Sequence, residues 1–176
     1  MDCKLENHET AVEVNVPYPE IRVAKPNPLY ATMILDNVGG INSEMSAVAT
    51  YVYNHIKCDE IEVKKIFFMI SITEMKHLQI FSELAKQLGT DPRLWSKNSD
   101  KCKYWSPSYI KHCTRTPEMI CSAIKGENAA IAKYEHQLQI INDSCIKDIL
   151  KRILMDEHKH IELLKSAYRK INIKSK

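Results

Sequence analysis

The sequence has no Cys-x-x-Cys pair, no long hydrophobic run and few residues that break helices. Its six cysteines stand apart, so zinc knuckles and rubredoxin-type iron sites are not indicated. Free thiols in a reducing cytoplasm are the simpler interpretation, and disulfides in an oxidising layer are the alternative. The longest apolar run, residues 66–72, is too short to cross a bilayer, and the charged start has no apolar signal segment. We therefore expect a cytoplasmic protein with no membrane partner.

Neither sign of charge dominates the sequence. It has 25 Lys and Arg against 22 Asp and Glu, which gives a formal net charge of +3. The basic residues are scattered except at residues 170–176, so a nucleic acid partner is not indicated. Four glycines and seven prolines among 176 residues leave long stretches that favour helix. The length suits one domain with a substantial core.

Apolar periodicity predicts four long helices. Their predicted spans are Asn27–Lys57, Glu60–Leu88, Thr116–Ile141 and Cys145–Tyr168. Gly39 and Gly40 should weaken or bend the first helix, while Asp59 should cap the second and Gly89 should close it. The inward face of the first helix is predicted to comprise Ile34, Val38, Ile41, Val48, Tyr51 and Val52.

The segments outside these helices predict the architecture. Residues 1–26 are polar and proline-containing, so we expect an extended N-terminal arm, with the bundle domain over residues 27–176. Residues 90–115 form a long crossover, with room for short helical turns, between two short-linked helix pairs. The prediction is an all-α four-helix bundle made of two antiparallel pairs. Three aromatic residues should pin the crossover to the bundle and could cover an entrance: Trp95, Tyr104 and Trp105.

Two Glu-x-Lys-His stretches carry the functional prediction. Glu74 and His77 share one helix face, as do Glu157 and His160, because residues three apart lie on the same side. The predicted apolar faces of the first and third helices also contain one glutamate each, Glu44 and Glu127.

The spacing of these residues repeats along the chain. Glu74 lies 30 residues after Glu44, and Glu157 lies 30 residues after Glu127. An offset of 83 residues maps the first half onto the second, including Tyr51 onto Tyr134. This pattern indicates an internal duplication of a helix pair, which would bring all six residues together in the middle of the bundle.

Charge balance then indicates two metal ions. Four unpaired carboxylates on inward faces would each cost several kcal/mol. Two divalent cations offset them, and mixed oxygen and nitrogen donors suit iron or manganese. A single Glu-x-x-His match is common by chance and is otherwise an exposed pair, so the prediction depends on the repeated pattern. The predicted metal-binding and catalytic residues are Glu44, Glu74, His77, Glu127, Glu157 and His160.

Several neighbouring residues have two interpretations each. Asp156 either bonds the far ring nitrogen of His77 or is a surface aspartate. Its equivalent in the other half is Thr73, a weaker acceptor. Tyr51 and Tyr134 either pack as ordinary core residues or contact the metal ligands. Three histidines fall outside the ligand pattern and are expected at the surface or satisfied locally: His55, His136 and His158.

These motifs resemble the ferritin-like di-metal carboxylate superfamily. Having Glu-x-x-His in both halves looks more like bacterioferritin, rubrerythrin and manganese catalase than like animal ferritin. The Pro17-Tyr18-Pro19-Glu20 arm and Tyr104-Trp105 look most like small manganese-catalase-like proteins associated with spore coats. The chain departs from rubrerythrins at Ala130, where they have an additional carboxylate, and it lacks their rubredoxin domain.

The resemblance implies redox chemistry on a small molecule, hydrogen peroxide or dioxygen. The first hypothesis is a catalase- or peroxidase-type enzyme that detoxifies peroxide. The alternatives are a ferroxidase or iron-binding protein that uses dioxygen, and a structural spore-coat or interaction protein stabilised by its metal site. We also expect a homo-oligomer, and a spore-associated location is the alternative to a purely cytoplasmic one.

Overall fold

The computed structural model describes residues 12–98 and 101–174. Almost all of the regular structure is helical, as predicted. The elements are α1 (Pro28–Gly39), α2 (Glu44–Lys57), α3 (Ile61–Gln87), β1 (Trp95–Asn98), β2 (Lys101–Tyr104), α4 (Thr116–Ile140) and α5 (Ser144–Lys174), with a 3-10 turn at Pro107–Tyr109. Helices α1 and α2 together occupy the place of one bundle helix, so the chain forms the predicted four-helix bundle.

The first predicted helix is interrupted rather than bent. Gly40 adopts an extended conformation, and the Ser43 side chain starts α2 by accepting a hydrogen bond from the Ser46 amide at 3.3 Å. Lys133 on α4 donates to the Asn42 carbonyl at 2.5 Å and so fixes the interruption. The break makes Glu44 the first residue of α2.

Two residues that were predicted to face inward, Ile41 and Val52, are exposed instead. Ile41 lies in the interruption and is 58% exposed, because the chain leaves the helical path there. Val52 is 45% exposed, because it lies about 100° around the helix axis from the buried Tyr51. Ile34, Val38 and Tyr51 are buried as predicted.

The remaining helix ends agree with the sequence to within a few residues, except at the end of α5. That helix continues to Lys174, beyond the predicted end near Tyr168. Gly89 closes α3 with a φ of 92°, a conformation that glycine adopts readily. The predicted cap at Asp59 is wrong, because Glu60 holds the N-cap position of α3 and its side chain makes no capping bond.

The crossover contains an antiparallel hairpin that the sequence did not predict. Strands β1 and β2 pair Trp95 with Tyr104, and the backbone of Trp95 lies close to Gly39. Trp105 pins the crossover to the bundle by donating from its indole to the Ser46 hydroxyl at 3.0 Å. Tyr104 is 57% exposed and stacks on Trp95 instead of on a bundle helix.

Residues 12–26 contain no helix or strand and run along α5. The Arg152 guanidinium donates to the carbonyls of Val14 and Val16, at 2.8 Å and 2.7 Å. Further along, the Ala24 amide donates to Asp143 at 2.7 Å. The extended arm is thus tied to α5 by hydrogen bonds, and the domain boundary at residue 26 stays a prediction.

Two apolar clusters fill the bundle on either side of its middle. One contains Phe81 and Ile153, and the other contains Phe67 and Leu164. Along α3 and α5 the predicted Glu and His residues fall between these clusters. The polar site therefore lies at mid-bundle with apolar packing above and below it. None of the helices in the described ranges combines the length and apolar character needed to span a membrane.

Candidate di-metal site

All six predicted metal-binding residues meet in the interior of the bundle. Their exposed fractions are 4% or less, although four of them are carboxylates. Helices α2 and α4 each supply one glutamate, and α3 and α5 each supply a Glu-x-x-His pair. The helical period aims each pair inward, because positions three apart lie on one face.

The side chains form two overlapping sets of four. Glu44 and His77 belong to one set, which we call the His77 position. Glu127 and His160 belong to the other, the His160 position. Both sets include Glu74 and Glu157, and within each set the candidate ligand atoms lie within 4.8 Å of one another. Two carboxylates are thus placed to bridge two ions.

The distances around the two histidines are nearly the same. At the His77 position, Nδ1 of His77 lies 3.1 Å from Glu74, 3.3 Å from Glu157 and 3.9 Å from Glu44. At the His160 position, Nδ1 of His160 lies 3.2 Å from Glu74, 3.3 Å from Glu157 and 3.8 Å from Glu127. Each imidazole therefore faces one oxygen from each of three carboxylates.

Two tyrosines hold the outer glutamates across the bundle. The Tyr134 hydroxyl on α4 donates to Glu44 on α2, and the Tyr51 hydroxyl on α2 donates to Glu127 on α4. Both tyrosines are buried. The structure thus favours the second interpretation of this pair, contact with the candidate ligands. Each tyrosine orients a glutamate of the opposite half. The other oxygen of Glu44 faces His77, whereas the Glu127 oxygen that accepts from Tyr51 is also the one nearest to His160.

The far nitrogen of His77 meets a network that reaches the N-terminal arm. Its Nε2 lies 2.9 Å from the Tyr18 hydroxyl and 3.3 Å from Oδ2 of Asp156, and Tyr18 in turn donates to Asp156 at 2.5 Å. Arg152 contacts the same Asp156 oxygen at 2.6 Å, and the Val14 amide donates to its other oxygen at 2.8 Å. Asp156 is completely buried, so the surface interpretation is wrong.

Sequence reasoning missed two members of this network. Arg152 lies one helical turn before Asp156, and that spacing could have identified it as the partner of a buried aspartate. No periodic signal could have identified Tyr18, because it lies in a segment without regular structure. Its position depends on how the arm docks on α5.

The pKa values of the two outer glutamates and the two histidines are all raised. Burial and the charges of Glu74 and Glu157 raise the pKa of Glu44 well above its ordinary value. Burial and the charge of Glu157 raise the pKa of Glu127 to about 7. Burial opposes charge on both histidines, but the surrounding carboxylates, which lie close to the rings, raise the pKa values of His77 and His160 well above the ordinary value.

The pKa values of Glu74 and Glu157, which belong to both sets, shift in the opposite direction. Burial and the charge of Glu127 act to raise the pKa of Glu74, but close contacts with His160 and His77 outweigh them and lower it. Glu157 also has a lowered pKa, because close contacts with the two histidines outweigh burial and the charge of Glu74. Glu74 and Glu157 therefore favour their charged forms.

Unsatisfied buried atoms support a fit to metal ions. Within the described residues, both oxygens of Glu157, one oxygen of Glu74 and both ring nitrogens of His160 lack a hydrogen-bond partner. Buried polar groups are normally paired, so such a cluster requires an explanation. The oxygen and nitrogen donors suit iron or manganese.

Comparison with known proteins agrees with this arrangement. The sequence profile of the rubrerythrin family matches residues 38–168, which is more than half of the chain. The chain belongs to the rubrerythrin family. The match spans all six clustered residues and confirms membership of the ferritin-like superfamily.

The similar proteins include manganese catalases. A probable manganese catalase of Clostridium acetobutylicum is 22% identical, over an alignment that covers 86% of this rubrerythrin-family chain and 76% of the relative. The crystal structure of KatB, a manganese catalase from Anabaena, superposes with a TM-score of 0.82 at 20% identity, covering 91% of this chain and 80% of KatB. A dodecameric thioferritin, the bacterioferritin-related protein from Bacteroides fragilis, gives a TM-score of 0.67 at 20% identity, with 86% and 91% coverage. At these identities, the structural matches show a shared fold.

A cleft connects the site of this rubrerythrin-family chain to the surface. It has a volume of about 250 Å³, lies beside α2 and α4, and is lined by all four clustered glutamates. Exposed residues at its outer part include Asn42, Lys125 and Gly126. Tyr109 of the 3-10 turn lines the cleft, whereas Trp95, Tyr104 and Trp105 do not, so these three residues do not cover this entrance. A small molecule could reach the carboxylates by this route.

The three histidines that fall outside the ligand pattern also lie outside the cluster. His136 and His158 are exposed, and His55 is half-buried with its Nδ1 3.0 Å from the Lys64 carbonyl. Five cysteines lie in the described ranges, and none forms a disulfide there. Neither group adds a ligand to the candidate site.

Proposed function

We propose that this rubrerythrin-family protein binds two iron or manganese ions and dismutates hydrogen peroxide. The observation that carries the proposal is the pair of overlapping ligand sets with Glu74 and Glu157 common to both. Glu44 and His77 would complete one position, and Glu127 and His160 the other. Two ions held by these residues would supply Lewis-acid stabilisation to a small substrate.

The charge of the site supports two divalent ions. Four buried carboxylates carry up to four negative charges, and two divalent cations balance them while both imidazoles are neutral. Bound iron or manganese would supply electron exchange with peroxide, since both metals change oxidation state. Glu74 and Glu157 would hold the ions together, while Tyr134 and Tyr51 keep the outer glutamates in orientation.

The cleft and the relatives support peroxide as the substrate. The cleft of about 250 Å³ admits a small molecule to the four carboxylates. The relatives include two proteins described as manganese catalases. Dismutation converts peroxide to water and dioxygen and requires no outside electron donor.

Metal-loaded protein provides the direct test. The chain is loaded separately with manganese and with iron, and oxygen release from hydrogen peroxide is measured with an oxygen electrode. We expect release from at least one form, and loss of release in Glu157→Ala. Glu135→Gln is the matched control, because Glu135 is exposed on α4 outside the site. Release that persists in Glu157→Ala would contradict the proposal, and oxygen uptake with ferrous iron but no release from peroxide would favour a ferroxidase.

Thermal unfolding tests the metal site independently of activity. A metal that binds only the folded state stabilises it by about 2.7 kcal/mol at a free concentration 100 times the dissociation constant. We expect manganese to raise the melting temperature and chelation to reverse the rise. An unchanged melting temperature would show that the clustered glutamates do not form the site. Elemental analysis of protein from its native host would identify the metal.

We also propose that several copies of this chain assemble into a homo-oligomer. Three exposed apolar side chains share one face of α3 and support it: Phe68, Ile72 and Met75. Light scattering on the purified chain would test it, and a monomer at all concentrations would contradict it.

A further inference from the structure

The two metal positions match on their inner sides. Nδ1 of His77 and Nδ1 of His160 face the same two bridging glutamates at 3.1 to 3.3 Å. Each outer glutamate accepts a hydrogen bond from one buried tyrosine of the opposite half. The distances from each imidazole to its carboxylates are thus closely similar at the two positions.

The far sides of the two imidazoles differ. The Nε2 of His77 donates to the Tyr18 hydroxyl at 2.9 Å, with Asp156 at 3.3 Å, so its proton and ring orientation are fixed. The Nε2 of His160 is buried and has no hydrogen-bond partner in the described part of the chain. His77 is therefore held ready to present Nδ1 to an ion, whereas His160 is not.

Two features account for the difference between the two imidazoles: Thr73 stands where the other half has Asp156, and the described part of the N-terminal arm contacts only that of His77. The residue equivalent to Asp156 in the other half is Thr73, whose hydroxyl bonds the Met69 carbonyl of its own helix at 3.5 Å. Tyr18 comes from the arm, outside the duplicated helix pairs.

Several contacts hold the N-terminal arm in place around Tyr18. The Arg152 guanidinium lies 4.1 Å from the Tyr18 ring centroid, and the Lys76 ammonium lies 4.2 Å from it. Lys76 also pairs with Glu13 at 2.7 Å, and the Val14 amide donates to Asp156. Several contacts thus set the hydroxyl of Tyr18 against His77.

We propose that the N-terminal arm makes the two metal positions unequal, with Tyr18 as the positioning residue that makes the His77 position bind its divalent ion first and more tightly. This inference rests on the proposed function. An imidazole already held in the correct orientation, with its Nε2 proton fixed, loses less freedom on binding than one that has to be ordered by the metal. Removal of such an outer hydrogen bond typically weakens metal binding by about 10- to 100-fold.

A manganese titration of the full chain tests the inference without an activity assay. Free Mn²⁺ is followed by its electron paramagnetic resonance signal, which is lost on binding. We expect two phases, one ion each, and Tyr18→Phe should weaken only the tighter phase, by about 10-fold or more. His77→Ala should remove the tighter phase and His160→Ala the weaker one, which assigns the phases to positions.

Two control variants separate positioning from general stability. Tyr30→Phe removes a tyrosine hydroxyl that bonds the Asn142 amide away from the site, and it should leave both phases unchanged. Thr73→Val should also leave both phases unchanged, because its hydroxyl does not bond His160. Circular dichroism confirms that each variant is folded.

The outcomes distinguish the inference from the function on which it rests. Two equal phases in the unmodified chain, no effect of Tyr18→Phe, or equal weakening of both phases would overturn the inference and leave a di-metal protein in place. Failure to bind manganese or ferrous ions would overturn both.

Discussion

The Tyr134 hydroxyl donates a hydrogen bond to Glu44, across the bundle from α4 to α2. Tyr51 and Glu127 form the reciprocal contact. The two contacts join residues of opposite halves, so the duplicated helix pairs are locked together at the candidate ligands. Both tyrosines therefore hold candidate ligands, Glu44 and Glu127, in position.

Removing either hydroxyl should weaken one metal position. We expect Tyr134→Phe to lower affinity at the His77 position and Tyr51→Phe at the His160 position, each by about 10- to 100-fold. Manganese titration measures both. Tyr53→Phe is the matched control on α2, since Tyr53 packs against His112 outside the site. Equal binding by Tyr134→Phe and Tyr53→Phe would show that the hydroxyl contact is dispensable.

Metal binding should release protons, and the number should fall as pH rises. The pKa values of Glu44, His77 and His160 are raised well above ordinary values, and that of Glu127 is about 7. Below that pH Glu127 holds a proton when metal is absent, so metal binding at about pH 6 should displace that proton together with those of the other groups. At about pH 8 Glu127 is already ionised, so about one proton fewer should be released.

Affinity should consequently rise with pH, because protons compete with the metal. Calorimetry in buffers of different ionisation enthalpy counts the protons released. Glu135→Gln, which alters an exposed carboxylate, should not change the count. A count that is the same at both pH values would contradict the titration of Glu127.

Two glycine-to-alanine substitutions should have opposite effects on stability. A Cβ at Gly39 would lie 2.6 Å from the Leu94 carbonyl carbon and 2.8 Å from Cα of Trp95, so Gly39→Ala should lower the free energy of unfolding by about 1–3 kcal/mol. A Cβ at Gly126 would meet nothing within 4 Å, so Gly126→Ala should raise it by about 0.5–1 kcal/mol. Denaturant unfolding of the metal-free proteins measures both. Equal effects of the two changes would show that the hairpin does not pack on α1 as described.

A large side chain at Gly126 should restrict access to the site. Gly126 lines the cleft but provides no ligand atom, so Gly126→Phe should retain its metal while kcat/KM for peroxide falls by about tenfold. Gly126→Ala is the control and should keep normal activity. Oxygen release and elemental analysis measure the two quantities. Unchanged kcat/KM in Gly126→Phe would show that peroxide enters by another route.

Helical spacing accounts for how well the sequence predicted the clustered residues. Glu74 and His77 had to share a face because a helix repeats every 3.6 residues, and the 83-residue offset placed the second pair in the same way. The interruption at Gly40 and the exposure of Ile41 were not predicted, because the Lys133 contact that fixes the break joins residues far apart in sequence.

The sequence by itself determined the four-helix bundle and the six residues at its centre, since helix periodicity and the internal repeat are properties of neighbouring positions along the chain. Only the tertiary structure decided which tyrosine supports which glutamate, that Asp156 is buried, and that Tyr18 reaches His77. Those contacts depend on packing between distant segments, and the arm that carries Tyr18 has no period from which its position could be read.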